Sequence, residues 1–292
     1  MKKIALLSAA ALVTVFAHVP AFAEKALAGY ILSIDLQGAD KTEKTAILRE
    51  GEEPLVPKLM MPLYEDDVVF LRDPGSRIEI EGSDGTPKSI SGKNARFKLS
   101  GEVATGDDAW SLFTAVAGVI GGEEEQAIPD NMASRGDENK LEIPMAVRGP
   151  NFITTDTRNL WLAWSGGKGP YKVIVDVDGR AKTHDKIRIQ EFEFETPPPE
   201  TKRFTVTIKD SEGRIATVVL RYRNGLPVPN EGFKGKLPEG DVKDLVYAAW
   251  MTGLHEGDWS IGAAQILRAL PDDNTEAKLL LAKIVAGWKY QD

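Results

Sequence analysis

Three histidines and no cysteine limit the chemistry open to this chain. Without Cys there is no disulfide framework, no thiolate metal site and no Cys nucleophile. His184 sits in Lys182-Thr183-His184-Asp185, read as a strand-connecting turn, and His255 sits beside Glu256 in a helix-connecting loop. Each reads as a surface histidine. No G-x-S-x-G elbow is present to place a nucleophilic serine on a strand-to-helix turn. Ser91-Gly92-Lys93-Asn94 fails as a phosphate loop, because Asn follows the Lys where Ser or Thr would hold Mg²⁺. Gly166-Gly167-Lys168-Gly169 reads as a turn that opens no helix. Asp176-Val177-Asp178-Gly179 has the start of a calcium loop but lacks the closing Glu. Carboxylates are abundant, with 44 Asp and Glu, so their pairing in sequence does not argue for glycosidase chemistry. No enzyme and no cofactor are expected.

The elements around these residues begin with an export signal. Lys2 and Lys3 precede an uncharged apolar run of 14 residues, Ile4 to Ala17. His18 and Pro20 break it, and Ala21-Phe22-Ala23 places small residues at −3 and −1 of a cleavage site. Residues 1–23 are therefore expected to be removed between Ala23 and Glu24, with a cut after Ala28 as the alternative. The apolar run falls short of the roughly 20 residues a spanning helix needs. No transmembrane anchor is expected after cleavage, and no Cys at the junction offers a lipid anchor. The expected location is periplasmic or secreted.

Losing Lys2 and Lys3 takes the 36 basic residues to 34 against 44 acidic ones, so the net charge moves from −8 to −10. Such a surface excludes nucleic acid as a partner and disfavours anionic membranes.

The mature chain divides by hydrophobic period. Residues 24–105 read as short strands: Gly29 to Leu36, Val68 to Leu71, Arg77 to Glu81 and Ala95 to Leu99, with Asp73-Pro74-Gly75 and Ser83-Asp84-Gly85 as turns. Residues 106–140 hold an apolar helix, Asp107 to Gly122, and an acidic linker with Glu123-Glu124-Glu125. The helix is apolar on most of its circumference. It either packs between the first β unit and the next one or presents Trp110, Phe113 and Val116 to a partner or a second copy.

Residues 141–223 return to strands. These are Leu160 to Trp164, Tyr171 to Val177, Ile187 to Phe194 with a register slip near Glu191, and the hairpin of Phe204 to Ile208 with Ile215 to Tyr222. Their number and spacing predict a sandwich of immunoglobulin or fibronectin type. Trp161 and Trp164 are expected between its sheets. Residues 224–240 are rich in Pro and Gly and read as a linker. Residues 241–292 read as a helical hairpin or three helices, capped by Asp241, Asp258 and Asn274, with Gly287 as the final stop.

Two segments carry a family resemblance. Gly29-Tyr-Ile-Leu-Ser-Ile-Asp-Leu-Gln-Gly38 and Met61-Pro-Leu-Tyr-Glu-Asp-Asp-Val-Val-Phe-Leu71 resemble the FecR-type β domain of bacterial envelope proteins. Asp66 stands where that family usually carries Gly, and Asp67 holds the family's Asp position. Trp161-Leu-Ala-Trp-Ser-Gly-Gly-Lys-Gly-Pro-Tyr171 is similar to a turn in the sandwich segment of exported FecR-containing proteins. The helical tail with Ala249-Trp250 and Trp259 is similar to their C-terminal ends. Some members are transmembrane regulators of a sigma factor. Only Met1 to Lys3 precede the apolar run, so no cytoplasmic arm for that role is expected.

The resemblance implies a mainly β protein: a FecR-like domain, an immunoglobulin-like sandwich and a helical tail. Its implied function is a non-catalytic scaffold or interaction module of the cell envelope, in a signalling or assembly complex. The expected partner is another envelope protein or a second copy. The alternative is a carboxylate-dependent hydrolase of envelope glycan.

Overall fold

The computed structural model describes residues 26–36, 45–82, 87–99, 108–121, 140–229 and 240–290. It is mainly β, with 40% strand and 22% helix.

The described residues of the first unit form seven strands: β1 (Leu27–Asp35), β2 (Thr45–Leu48), β3 (Pro62–Tyr64), β4 (Val68–Leu71), β5 (Arg77–Gly82), β6 (Pro87–Ser91) and β7 (Ala95–Lys98). They form a four-stranded sheet, β3-β1-β5-β6, and a three-stranded one, β2-β4-β7. Ile31, Ile47, Leu63, Val69, Leu71, Ile78 and Ile80 are buried in one cluster between these strands. β1 lies so close to β5 that a Cβ on Gly29 would come within 2.4 Å of the Glu81 carbonyl oxygen. Only glycine fits there.

Helix α1 (Asp108–Gly121) follows, as its period predicts. Then come β8 (Pro150–Thr154), β9 (Asn159–Ala163), β10 (Tyr171–Val177), β11 (Arg180–Ile187), β12 (Glu191–Glu195), β13 (Arg203–Lys209) and β14 (Ile215–Arg223). One sheet has five strands in the order β11-β10-β13-β14-β8, and the other has two, β12-β9. β8 runs parallel to β14 and the other pairs are antiparallel.

Two expectations are corrected here. Ile187 to Phe194 is not one strand. The chain leaves the five-stranded sheet at Ile187 and enters the two-stranded sheet at Glu191. Ile189, between them, is 52% exposed, so the alternation spans a crossing between sheets. His184 is not in a turn. It lies within β11 opposite Val173.

The tail folds as α2 (Asp241–Gly253), α3 (Ser260–Arg268) and α4 (Thr275–Val285). Asn274 caps α4, its Oδ1 accepting from the Ala277 N–H at 2.8 Å. Asp241 and Asp258 are not caps. The caps of α2 and α3 are Gly240 and Trp259, neither with a side-chain hydrogen bond. Asp258 is used through its backbone instead, its carbonyl accepting from the Phe152 N–H of β8 at 2.7 Å.

The tail shares a core with the sheets. Val206 and Leu220 from the strands, Trp164 just after β9, Leu112 and Val116 from α1, and Leu245, Ala249, Ile261, Ala264 and Leu280 from the tail belong to one buried cluster. Tyr30, Leu32 and Met60 of the first unit join it. Helix α1 packs against α2 and α4. The Tyr30 hydroxyl donates to Thr114 Oγ1 at 2.9 Å and ties β1 to α1. Alanines at 248, 249, 263, 264 and 277 are buried, which lets the helices approach closely. Among the described residues no helix is long and apolar enough to cross a membrane.

Candidate functional site

The Asp178-Gly179 turn closes a two-residue hairpin between β10 and β11, with Asp178 at φ 49° and Gly179 at φ 85°. Past that turn Val177 faces Arg180, Val175 faces Lys182 and Val173 faces His184. Directly opposed residues share one face of a sheet. Val173 and Val175 are buried, so this is the inner face, and Arg180 and Lys182 lie on it although they are exposed.

Among the described residues five strands are faced by two, which leaves that region uncovered. A cleft of about 660 Å³ opens there, lined by Val175, Val177, Arg180 and Lys182 of the large sheet. Its other side is Thr157, Arg158, Asn159 and the run Glu195-Thr-Pro-Pro-Pro-Glu200. The Thr196 hydroxyl donates to the Thr157 carbonyl at 2.7 Å, holding the Pro-rich run against the start of β9. The volume falls in the range of ligand sites, roughly 300–1,000 Å³. Among the described residues Arg158, Arg180, Lys182, Glu195 and Glu200 form no ion pair within 4.0 Å. No sequence motif marks them. The only signal is the basic alternation of Arg180 and Lys182 just after a hairpin turn.

The residues singled out from sequence lie elsewhere. The His184 ring packs 5.0 Å from the Phe192 ring. His255 and Glu256 are exposed, at φ 46° and 62°, on the turn between α2 and α3. Ser91 to Asn94 joins β6 to β7. Asp176 Oδ1 accepts from the Gly179 N–H at 3.0 Å, which makes it a turn residue. No group of three or more His, Asp or Glu able to hold a metal occurs among the described residues.

Among the described residues two aspartates are buried, and both serve turns. Asp67 is completely buried; its Oδ2 accepts from the Tyr64 N–H at 2.9 Å, and both its oxygens accept from Arg49. Beside it Asp66 has φ 71°, in the left-handed region where Gly is favoured and Asp tolerated. The hydrogen bond to Asp67 raises the Arg49 pKa above its already high value.

Asp210 holds the turn between β13 and β14. It accepts from the Glu212 and Arg214 N–H groups, from the Arg214 guanidinium and from the Lys168 N–H. Burial pushes its pKa up, but these hydrogen bonds and the Arg214 charge outweigh burial and hold it below the usual value. Lys168 belongs to the turn after β9. There a Cβ on Gly167 (φ 70°) would come within 2.9 Å of Leu141 and 3.1 Å of Asp210. The Tyr171 hydroxyl and the Gln190 amide both donate to the Gly166 carbonyl. The segment from Trp161 to Tyr171 is thus a packing unit.

No family model, curated protein or solved structure matches this chain.

Val116 is completely buried, in the core that α1 shares with the tail. The Trp110 and Phe113 side chains lie outside the described residues, as do Ala23 and Glu24 at the expected cleavage site.

Proposed function

We propose that this chain is an exported, non-catalytic interaction module of the cell envelope. The observation that carries this reading is the use made of the two buried aspartates among the described residues. Asp67 and Asp210 are each saturated by hydrogen bonds that fix turns, which leaves neither for chemistry. The other buried carboxylate, Glu81, lies within β5 opposite Tyr30 of β1.

The FecR-type reading of the first unit draws support from Asp66. Its left-handed backbone explains why a family with Gly at that position could accept Asp. The immunoglobulin-type reading of residues 141–223 draws support from strand order. β9 with β12 against β10, β13 and β14 corresponds to the B–E and C–F–G pairings of that fold.

Fractionation of cells expressing the full chain tests the export reading. The expected product is in the periplasm or medium and starts at Glu24. A membrane-bound product that keeps Met1 overturns it.

One observation favours a second reading, hydrolysis of envelope glycan. Glu195 and Glu200 line the same cleft, and glycoside hydrolysis uses two carboxylates across one substrate. Release of reducing ends from purified envelope glycan, lost in Glu195→Gln or Glu200→Gln, would establish the hydrolase. No release by the native chain would support the interaction module.

A further inference from the structure

The outer edge of β11 borders the cleft, and among the described residues no strand pairs with it. The two-residue turn makes Val177 and Arg180 a hydrogen-bonded pair. Antiparallel pairing alternates, so residues 180, 182 and 184 bond to β10 while 181, 183 and 185 aim their N–H and C=O groups outward. A strand could therefore be added beside Ala181 and Thr183. The residues of that strand opposite Arg180 and Lys182 would share the inner face with them. The inner face of a two-sheet stack ordinarily calls for apolar side chains. Here it carries two cations without ion-pair partners among the described residues, in a chain whose net charge is −8.

We propose that β11 is the docking edge for an acidic peptide segment of a partner protein, which adds as a sixth strand and turns its carboxylates toward Arg180 and Lys182. Backbone pairing supplies general affinity and the two cations supply selection. The far wall, with Glu195 and Glu200, disfavours a second acidic row and so favours a ligand acidic on one face only. The inference rests on reading the chain as an interaction module, but its test is separate from those of export and glycan cleavage.

The probe is a fluorescent (Thr-Glu)₅ peptide, titrated against the full exported chain by fluorescence anisotropy. Antiparallel addition places Glu opposite Arg180 and Lys182, with Thr N–H groups bonding to the edge. Saturable binding is expected. It should weaken at least about tenfold in the Arg180→Glu, Lys182→Glu double variant and with a (Thr-Lys)₅ peptide. A (Pro-Glu)₅ peptide keeps the charge but loses those N–H donors, so it should not bind. Thr183→Pro removes only an outward N–H and should abolish binding with an unchanged melting curve. No binding of (Thr-Glu)₅ overturns the proposal, as does equal binding of (Pro-Glu)₅. So does a native chain that ignores the peptide while Lys182→Val self-associates, since the cations would then only guard an open edge.

Discussion

Arg49 meets Asp67 side-on, Nε donating to Oδ1 at 3.0 Å and Nη2 to Oδ2 at 2.9 Å, across 18 residues of sequence. The guanidinium also lies 4.5 Å over the Tyr64 ring and donates to the Pro62 carbonyl. This part-buried pair thereby fastens the end of β2 to the β3–β4 turn. Removing Arg49 strands the fully buried Asp67 charge. Arg49→Met alone should cost about 3–5 kcal/mol, and Arg49→Met with Asp67→Leu should recover much of that loss. Urea unfolding of both variants checks it, and a double variant no better than the single would refute it.

Asp210 makes the protein's stability depend on acid. Its pKa is lowered in the folded state, so its contribution is full above the unfolded value of about 3.9 and is lost as pH falls through the native value. Asp210→Asn should be less stable than the native chain at pH 7. The gap should close as the pH drops below that range. Denaturant midpoints for both proteins across acid pH give the comparison, and a gap that stays constant would contradict the assignment.

Tyr30 and Tyr247 act at the other end of the scale. Burial pushes both phenols up to about 12, only partly opposed at Tyr30 by its bond to Thr114. An unfolded tyrosine ionises near pH 10, so each contribution is intact below that pH and declines as the pH rises toward 12. Ultraviolet titration should show both of these phenols among those that ionise late. Tyr30→Phe and Tyr247→Phe should each remove one of them.

Gln265 stands in for a missing strand. From α3 its Oε1 accepts from the Trp161 N–H at 3.1 Å and its Nε2 donates to the Trp161 carbonyl at 3.0 Å. Gln265→Leu should cost about 1–3 kcal/mol by leaving those groups unpaired. Gln265→Glu keeps an acceptor and loses the donor, so it should not restore full stability. Thermal melts at neutral pH decide this, with wild-type stability in the Glu variant as the contrary result.

Trp164 is completely buried and meets Tyr171 edge-on at 5.3 Å between ring centres. Trp164→Ala should lower stability by about 3–5 kcal/mol. An unchanged melting temperature would remove it from the core.

Local signals in the sequence determined much of the secondary structure. The 203–209 and 215–223 hairpin, helix 108–121 and the Asp178-Gly179 turn follow from alternation, helical period and turn chemistry within a few neighbouring residues. β11 was not legible, because seven of its eight residues are at least partly exposed and leave no apolar alternation. Nor was the break at 188–190 between two sheets, since alternation reports a buried face and not the sheet it belongs to. Asp258 had the right residue type for a helix cap, yet its carbonyl is bound to β8 and the helix begins later. The Arg49–Asp67 pair, the strand-like pairing of Gln265 and the cleft beside Arg180 and Lys182 all join residues distant in sequence. Chain closure decides such neighbours, so only the tertiary structure brought them together.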